Sequence, residues 1–235
     1  MDCSVLSEIV AISKQNIYKT EYFQRKGYTQ KILDKHCLGY LENGLRNYQK
    51  YITEDCSILS CYKYVIPNYD RNGNITYIIF RSDKKAVKDT LAFDIDSTYA
   101  IGNYNGLIWN EKALFEENPM IFINETWTDA LSIIECGYSA IALNRINNIT
   151  DLWKKIKDSS FLQNKKYILF CDNDYYGKKA NDNLKKMLVS LKVHFIEIST
   201  FPENIKDANE WFLYNRVDFE KTLRGAINEL FREVK

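Results

Sequence analysis

The chain has 235 residues, 46% hydrophobic and 27% charged, with only 9 Gly and 3 Pro, which excludes a disordered, collagenous or low-complexity protein and leaves one large or two small globular domains. Thirty-two Lys and Arg against 31 Asp and Glu give a net charge of +1, so the overall charge selects no partner. No apolar run approaches the roughly 18 residues of a membrane span, and the start MDCSVLSEIV lacks the basic lead and cleavage site of a secretory leader; a cytoplasmic protein with no membrane partner is expected.

Up to about residue 36, Val5, Ile9 and Ile12, then Tyr22, Phe23, Ile32 and Leu33, recur at helical spacing and predict short helices. From Tyr62 the pattern changes to β-branched and aromatic runs, Tyr64-Val65-Ile66 and Ile75 to Phe80, joined by Asn68-Tyr69-Asp70-Arg71-Asn72-Gly73. Asn-Gly between two such runs predicts a hairpin in a small antiparallel sheet. Asp94 to Asn118 shows no clear period, and the subdomain boundary is placed near residue 115.

After Pro119, short apolar runs (Met120 to Ile123, Ala140 to Leu143, Tyr167 to Cys171, Val193 to Ile196) alternate with helical patterns around Leu131, Leu152 and Leu184. This predicts βαβ units on a parallel sheet. The expected organisation is an N-terminal α+β subdomain (1–115), a Rossmann-like α/β domain flanked by helices (116–215) and a C-terminal helix (216–235). Positive charge concentrates from Arg145 to Lys192, with 11 basic and 5 acidic side chains; either a phosphate-binding face or a solvated lysine face accounts for it. The six cysteines form no C-x-x-C pair and only two histidines accompany them, so no structural zinc is expected.

Ligands of parallel sheets bind at the carboxyl ends of the strands, and three carboxylates are expected there. Glu125 follows the first run of the C-terminal half, and Asp172 and Asp174 follow the third. Like charges so close are costly unless a cation neutralises them, which suits Mg²⁺ or Mn²⁺ held through oxygen. Loops also use Asp in turns and caps. Gly177 is expected to open a helix with Lys178, Lys185 and Lys192 on one face and Ala180, Leu184 and Leu188 on the other. Those lysines read equally as phosphate contacts or as a solvated face.

On these residues the segment 120–210 resembles a Toprim domain, the metal-binding fold of bacterial-type DNA primases and of type IA and II topoisomerases. IFINETWTDALSIIECGYSAIAL is similar to the family's strand, Glu and helix; YILFCDNDYYGKKA to its D-x-D-x-x-G-x-x-A; NIKDANEWF to the K-D segment typical of primases. The resemblance implies Glu125, Asp172 and Asp174 as catalytic, metal-holding residues, with Asp129, Gly177, Lys206 and Asp207 at flanking motif positions. The N-terminal half points to a primase: YFQRKGYTQKILDKHCLGY and YVIPNYDRNGNITYIIFR resemble segments of primase catalytic cores, with Pro67, Asp70, Gly73 and Arg81 at matching positions.

This chain departs from the family pattern at Thr126 and Asn173, where Gly is usual, and at Asn144-Arg145-Ile146-Asn147-Asn148, where a Gly-rich stretch is expected. The zinc-binding and helicase-binding domains of family primases are not recognised in it, as expected of a mobile-element or phage-like core or of a fragment. The resemblance implies metal-dependent, template-directed synthesis of short RNA primers on single-stranded DNA. It further implies nucleoside triphosphates as substrates, two Mg²⁺ or Mn²⁺ ions, and a replicative helicase or another replication protein as partner. Arg81, Lys63, Lys84, Lys85, Lys88, Lys178 and Lys206 are the candidate nucleic-acid or nucleotide contacts, with Tyr62, Tyr64 and Tyr77 for stacking on bases or as ordinary core and surface residues. The alternatives are a non-catalytic Toprim nucleic-acid-binding module in mobile-element replication, and a Toprim nuclease or phosphotransferase.

Overall fold

The computed structural model describes residues 3–52, 56–84, 87, 96–103 and 108–232. The chain divides into two compact units, one of residues 1–25 and 29–105, the other of residues 26–28 and 106–235.

In the first unit, helix α1 (Cys3–Gln15) buries Val5, Leu6, Ile9 and Val10 at helical spacing. Short helices α2 (Tyr22–Arg25), α3 (Gln30–Lys35) and α4 (Cys56–Leu59) follow. Strands β1 (Gly39–Tyr40), β2 (Tyr62–Tyr69), β3 (Ile75–Ser82) and β4 (Thr98–Gly102) form an antiparallel sheet in chain order. The β2–β3 hairpin falls where Asn-Gly predicts it. Asp70 organises its turn: its Oδ1 accepts the N–H groups of Asn72 and Asn74, each at 2.9 Å. Gly73 supplies the positive φ of 84° and donates its N–H to the Asp70 carbonyl at 3.1 Å. The core joins α1 to Leu41, Leu45, Val65, Ile78, Phe80 and Ile101; burying side chains of this size contributes roughly 1.5–3 kcal/mol each.

In the second unit, β5 (Met120–Asn124), β6 (Ala140–Ala142), β7 (Lys166–Leu169) and β8 (Phe195–Glu197) form an all-parallel sheet in the order β6-β5-β7-β8. Helix α5 (Trp127–Glu135) links β5 to β6, α6 (Asn148–Lys157) and α7 (Ser160–Gln163) link β6 to β7, and α8 (Tyr175–Ser190) links β7 to β8. Helices α9 (Ala208–Tyr214) and α10 (Arg216–Arg232) follow. Along β7 the side chains alternate between faces. Tyr167, Leu169 and Cys171 enter one core with Ile121, Ile123, Leu184 and Leu188. Phe170 instead joins an aromatic cluster with Phe201 at 5.2 Å and Trp211 at 6.2 Å between ring centroids, closed by Phe219. Among the described residues no helix is long and apolar enough to cross a membrane.

This strand order creates the site. The chain leaves β5 for β6 on one side and leaves β7 for β8 on the other, so a crevice opens at the carboxyl ends of the adjacent strands β5 and β7, the position where open parallel sheets bind ligands.

Candidate active site

Glu125 is the first residue after β5, and Asp172 and Asp174 lie just beyond β7. The two strand ends are laced together. Phe170 N–H donates to the Ile123 carbonyl at 2.9 Å, and the Asn124 side-chain amide donates to the Phe170 carbonyl at 2.9 Å. Asp174 caps α8, its Oδ1 accepting the Gly177 N–H at 2.9 Å. Gly177 therefore stands inside the first turn of α8. A Cβ there would lie 2.1 Å from the Asp172 carbonyl oxygen, so only glycine lets the helix start so close to that carboxylate's backbone.

Lys206 and Asp207 arrive on the segment before α9. The Asn173 N–H donates to the Lys206 carbonyl at 2.7 Å, and its side-chain amide donates to the Ile205 carbonyl at 3.4 Å. The backbone bond needs no particular side chain; the asparagine amide adds the second, longer one. The Lys206 ammonium lies 3.2 Å from Asp174 Oδ2 and 3.9 Å from Asp172 Oδ2. Asp207 caps α9 through the Glu210 N–H at 2.7 Å.

The electrostatics divide the carboxylates into two kinds. Burial, reinforced by Asp129 and Glu125, pushes Asp172 up to about 9. Burial and the Asp174 charge raise Glu125 as well, and its buried Oε2 has no hydrogen-bond partner. Asp174 is held below the usual carboxylate range by the Gly177 N–H and by Lys206. Asp129 lies behind the site and is fully buried. Its Oδ1 accepts the Asn209 N–H at 3.1 Å, its Oδ2 accepts from the Thr126 hydroxyl, and burial with the Asp207 charge lifts it to about 7. Asn209 extends the network to Ser132 Oγ at 2.9 Å and to the Lys26 carbonyl at 3.1 Å, while Tyr28 donates to the Thr128 carbonyl at 2.9 Å. Thr126, replacing the usual Gly, caps α5.

The donor set suits a hard divalent ion. It consists of carboxylate oxygens, one of them buried and unpartnered, in a cluster whose negative charge is under-compensated. As the side chains stand, no group of three or more His, Cys, Asp and Glu among the described residues is arranged to hold a metal ion. The positive charge beside Asp172 and Asp174 is that of Lys206.

The sequence-predicted residues thus fall into distinct sets. Glu125, Asp172, Asp174, Gly177, Lys206 and Asp207 come together at the crevice, with Asp129 behind it. Lys178 is exposed on the first turns of α8. Lys185 is occupied by Asp182 at 2.9 Å and Glu197 at 3.0 Å, and Lys192 lies beyond the helix end with a φ of 56°, so the expected lysine stripe is not continuous. Arg81 (β3) and Lys63 (β2) belong to the first unit, where Arg81 donates to Ser97 Oγ at 3.1 Å; Lys84 there is exposed. Lys85 and Lys88 lie outside the described residues. Of the two expectations for the tyrosines, the ordinary one fits: Tyr62 and Tyr77 are buried, and Tyr64 stacks on Tyr22 with ring centroids 3.8 Å apart. Their hydrophobic faces complete the sheet's packing. Sequence reasoning missed Asn209, Ser132, Lys26 and Tyr28, whose partners are close only in the fold.

A Toprim-like family model matches residues 122–212. No curated protein matches the chain by sequence. Among solved structures it is similar to the zinc-binding and RNA polymerase domains of the Aquifex aeolicus primase, with 18% identity and a TM-score of 0.69 over 95% of this chain. This chain spans 59% of that one. The RNA polymerase domain of Mycobacterium tuberculosis primase DnaG is similar at 14% identity and a TM-score of 0.67, over 98% of this chain and 84% of that one. A DnaG primase catalytic domain bound to single-stranded DNA follows at 13% identity and 0.63, over 99% and 86%. The chain accordingly carries a Toprim-like domain within the mixed α/β fold of bacterial-type primase catalytic cores.

Proposed function

We propose that the protein is a nucleotidyltransferase that synthesises short RNA primers on a single-stranded DNA template. The observation that carries this reading is the convergence of Glu125, Asp172 and Asp174 with Lys206 at the β5–β7 crevice of a Toprim-like domain. A similar structure holds single-stranded DNA, which supports that template. On this reading the protein acts in the cytoplasm, beside a replicative helicase or another replication protein.

Glu125, Asp172 and Asp174 would hold Mg²⁺ or Mn²⁺. Ions held there would supply charge neutralisation for a triphosphate, which is what attack of a 3′-hydroxyl on its α-phosphorus with loss of pyrophosphate needs. The chain's own groups do the positioning. Asp172 and Glu125, raised by burial despite the nearby Lys206 charge, present oxygens whose ionised form an added cation would stabilise further. Lys206, charged and more than half exposed, is placed to pair with a nucleotide phosphate. Gly177 and Asp174 fix the start of α8 beside them, and Asp129 anchors α5 to α9 through Asn209.

The deciding experiment compares primer synthesis on single-stranded DNA by the wild type and by Asp172→Ala, with nucleoside triphosphates and Mg²⁺ or Mn²⁺. Loss of synthesis in the variant is expected; equal activity rejects the site. A second reading, a non-catalytic single-strand-binding module, is favoured by the lysine lying against the carboxylates. It requires salt-sensitive binding of single-stranded DNA without nucleotide incorporation under any metal condition.

A further inference from the structure

Asn209 lies in the first turn of α9, is 2% exposed, and uses every polar atom of its side chain. Its amide nitrogen donates to Ser132 Oγ at 2.9 Å, to the Lys26 carbonyl at 3.1 Å and to the Tyr28 hydroxyl at 3.3 Å. Its Oδ1 accepts from the Lys26 ammonium at 3.1 Å. The amide has one workable orientation. The Ser132 and Tyr28 hydroxyls both donate to the Thr128 carbonyl, at 3.1 and 2.9 Å, so each offers Asn209 only lone pairs. Turned over, the amide would set its oxygen against two hydroxyl oxygens and a carbonyl, and its NH2 against an ammonium. One buried side chain thereby ties together three stretches of the second unit: residues 26–28, α5 and α9.

We infer that Asn209 is a positioning residue for nucleotide binding, acting through Lys206. The inference rests on the nucleotidyl-transfer reading above and deepens it. Lys206 lies just before α9, and Asp207 between them caps that helix through the Glu210 N–H. A lysine ammonium rides on a long, flexible stem, so the place it can reach is decided by its backbone. That backbone is pinned on one side by the Asn173 N–H on the Lys206 carbonyl at 2.7 Å. On the other side it is pinned by Asn209. The Asn209 N–H on Asp129 Oδ1, at 3.1 Å, does not depend on the side chain. The links to Ser132 and to residues 26–28 do, and they hold the start of α9 where the ammonium of Lys206 can meet a phosphate. Aspartate is no substitute: it keeps an acceptor for Lys26, offers no N–H to Ser132 Oγ or to the Lys26 carbonyl, and adds a charge beside the buried Asp129.

The test pairs calorimetric titration of the full chain with ATP in Mg²⁺ and steady-state primer synthesis, for the wild type, Asn209→Ala, Ser132→Ala, Lys206→Met and the double variant Asn209→Ala/Lys206→Met. Asn209→Ala is expected to weaken ATP binding and raise the KM for ATP by about fivefold, with kcat within about twofold of the wild type. Ser132→Ala, which removes one acceptor of the amide, should shift both in the same direction by less. The double variant should bind ATP as Lys206→Met does, because residues that act through one another are not additive. A merely structural role would instead lower the folded fraction, and with it kcat and the number of binding sites, while leaving KM and Kd unchanged. Should Asn209→Ala not fold, Ser132→Ala alone and combined with Lys206→Met makes the same comparison. ATP affinity unaltered in the Asn209 and Ser132 variants, a loss that adds in full to that of Lys206→Met, or a reduced kcat with unaltered KM each overturns the inference. Failures of the two readings separate: ATP binding in the expected pattern without any primer synthesis overturns priming alone, whereas synthesis with an unchanged KM for ATP in these variants overturns the positioning role alone.

Discussion

The Lys206 ammonium lies 3.2 Å from Asp174 Oδ2, so an internal cation sits against oxygens that the proposed metal ions require. The pair is partly exposed, and such contacts are worth about 0–1 kcal/mol. Lys206→Met is therefore expected to tighten Mn²⁺ binding by up to about fivefold while weakening ATP. Electron paramagnetic resonance of free Mn²⁺ measures the first effect; weaker Mn²⁺ binding in the variant would show that the lysine does not compete.

Asp172 gives the metal-free protein a distinctive pH response. In the unfolded chain an aspartate loses its proton near 3.8, whereas burial holds Asp172 protonated to about 9. Between these values the folded state keeps a proton that the unfolded state has released, so stability declines as pH rises across the window. Asp129, lifted to about 7, acts in the same direction. Thermal melts in EDTA should fall steadily from pH 5 to pH 8, and Asp172→Asn should flatten the slope. A melting temperature that rises over this range would contradict the charge arrangement.

Asp129→Ala would strip the Asn209 N–H of its acceptor inside a buried network. An orphaned buried donor costs about 1–3 kcal/mol, and a chain of this size loses roughly 2–4 °C of melting temperature per kcal/mol. Asp129→Asn, which retains an acceptor oxygen, should lose less. Scanning calorimetry on both variants checks the order.

Gly177→Ala places a methyl group 2.1 Å from the Asp172 carbonyl oxygen. Backbone on both sides leaves no side chain to yield, so α8 must shift, at about 1–3 kcal/mol for overpacking. Far-ultraviolet circular dichroism should show a folded protein, and primer synthesis should fall more than tenfold. Full activity would mean that the start of α8 does not position Asp172.

The parallel sheet was legible because its strands are buried on both faces and read as short apolar runs; the hairpin was legible because Asp70 and Gly73 carry turn chemistry. Strand β4 was not. Its residues Thr98–Gly102 are exposed or half-exposed except Ile101, as suits the edge of a sheet, and no hydrophobic period marks them. Residues 26–28 could not be assigned to the second unit either, since their ties run to Asn209 and to the Thr128 carbonyl, both far along the chain. At the site, residue types and strand ends placed Glu125, Asp172 and Asp174 together. Spacing could not reveal that Lys206 lies against Asp174, because that contact depends on distances across the fold.

The sheet order has a lasting consequence for how this protein can vary. Its two acid-bearing strands are immediate neighbours, although helices α5, α6 and α7 and strand β6 intervene along the chain. The stretch through α6 and α7 can grow or shrink at its far end without changing how β5 and β7 pair. Relatives of this chain can therefore differ widely in the sequence interval between the two acidic positions and still assemble the same mouth.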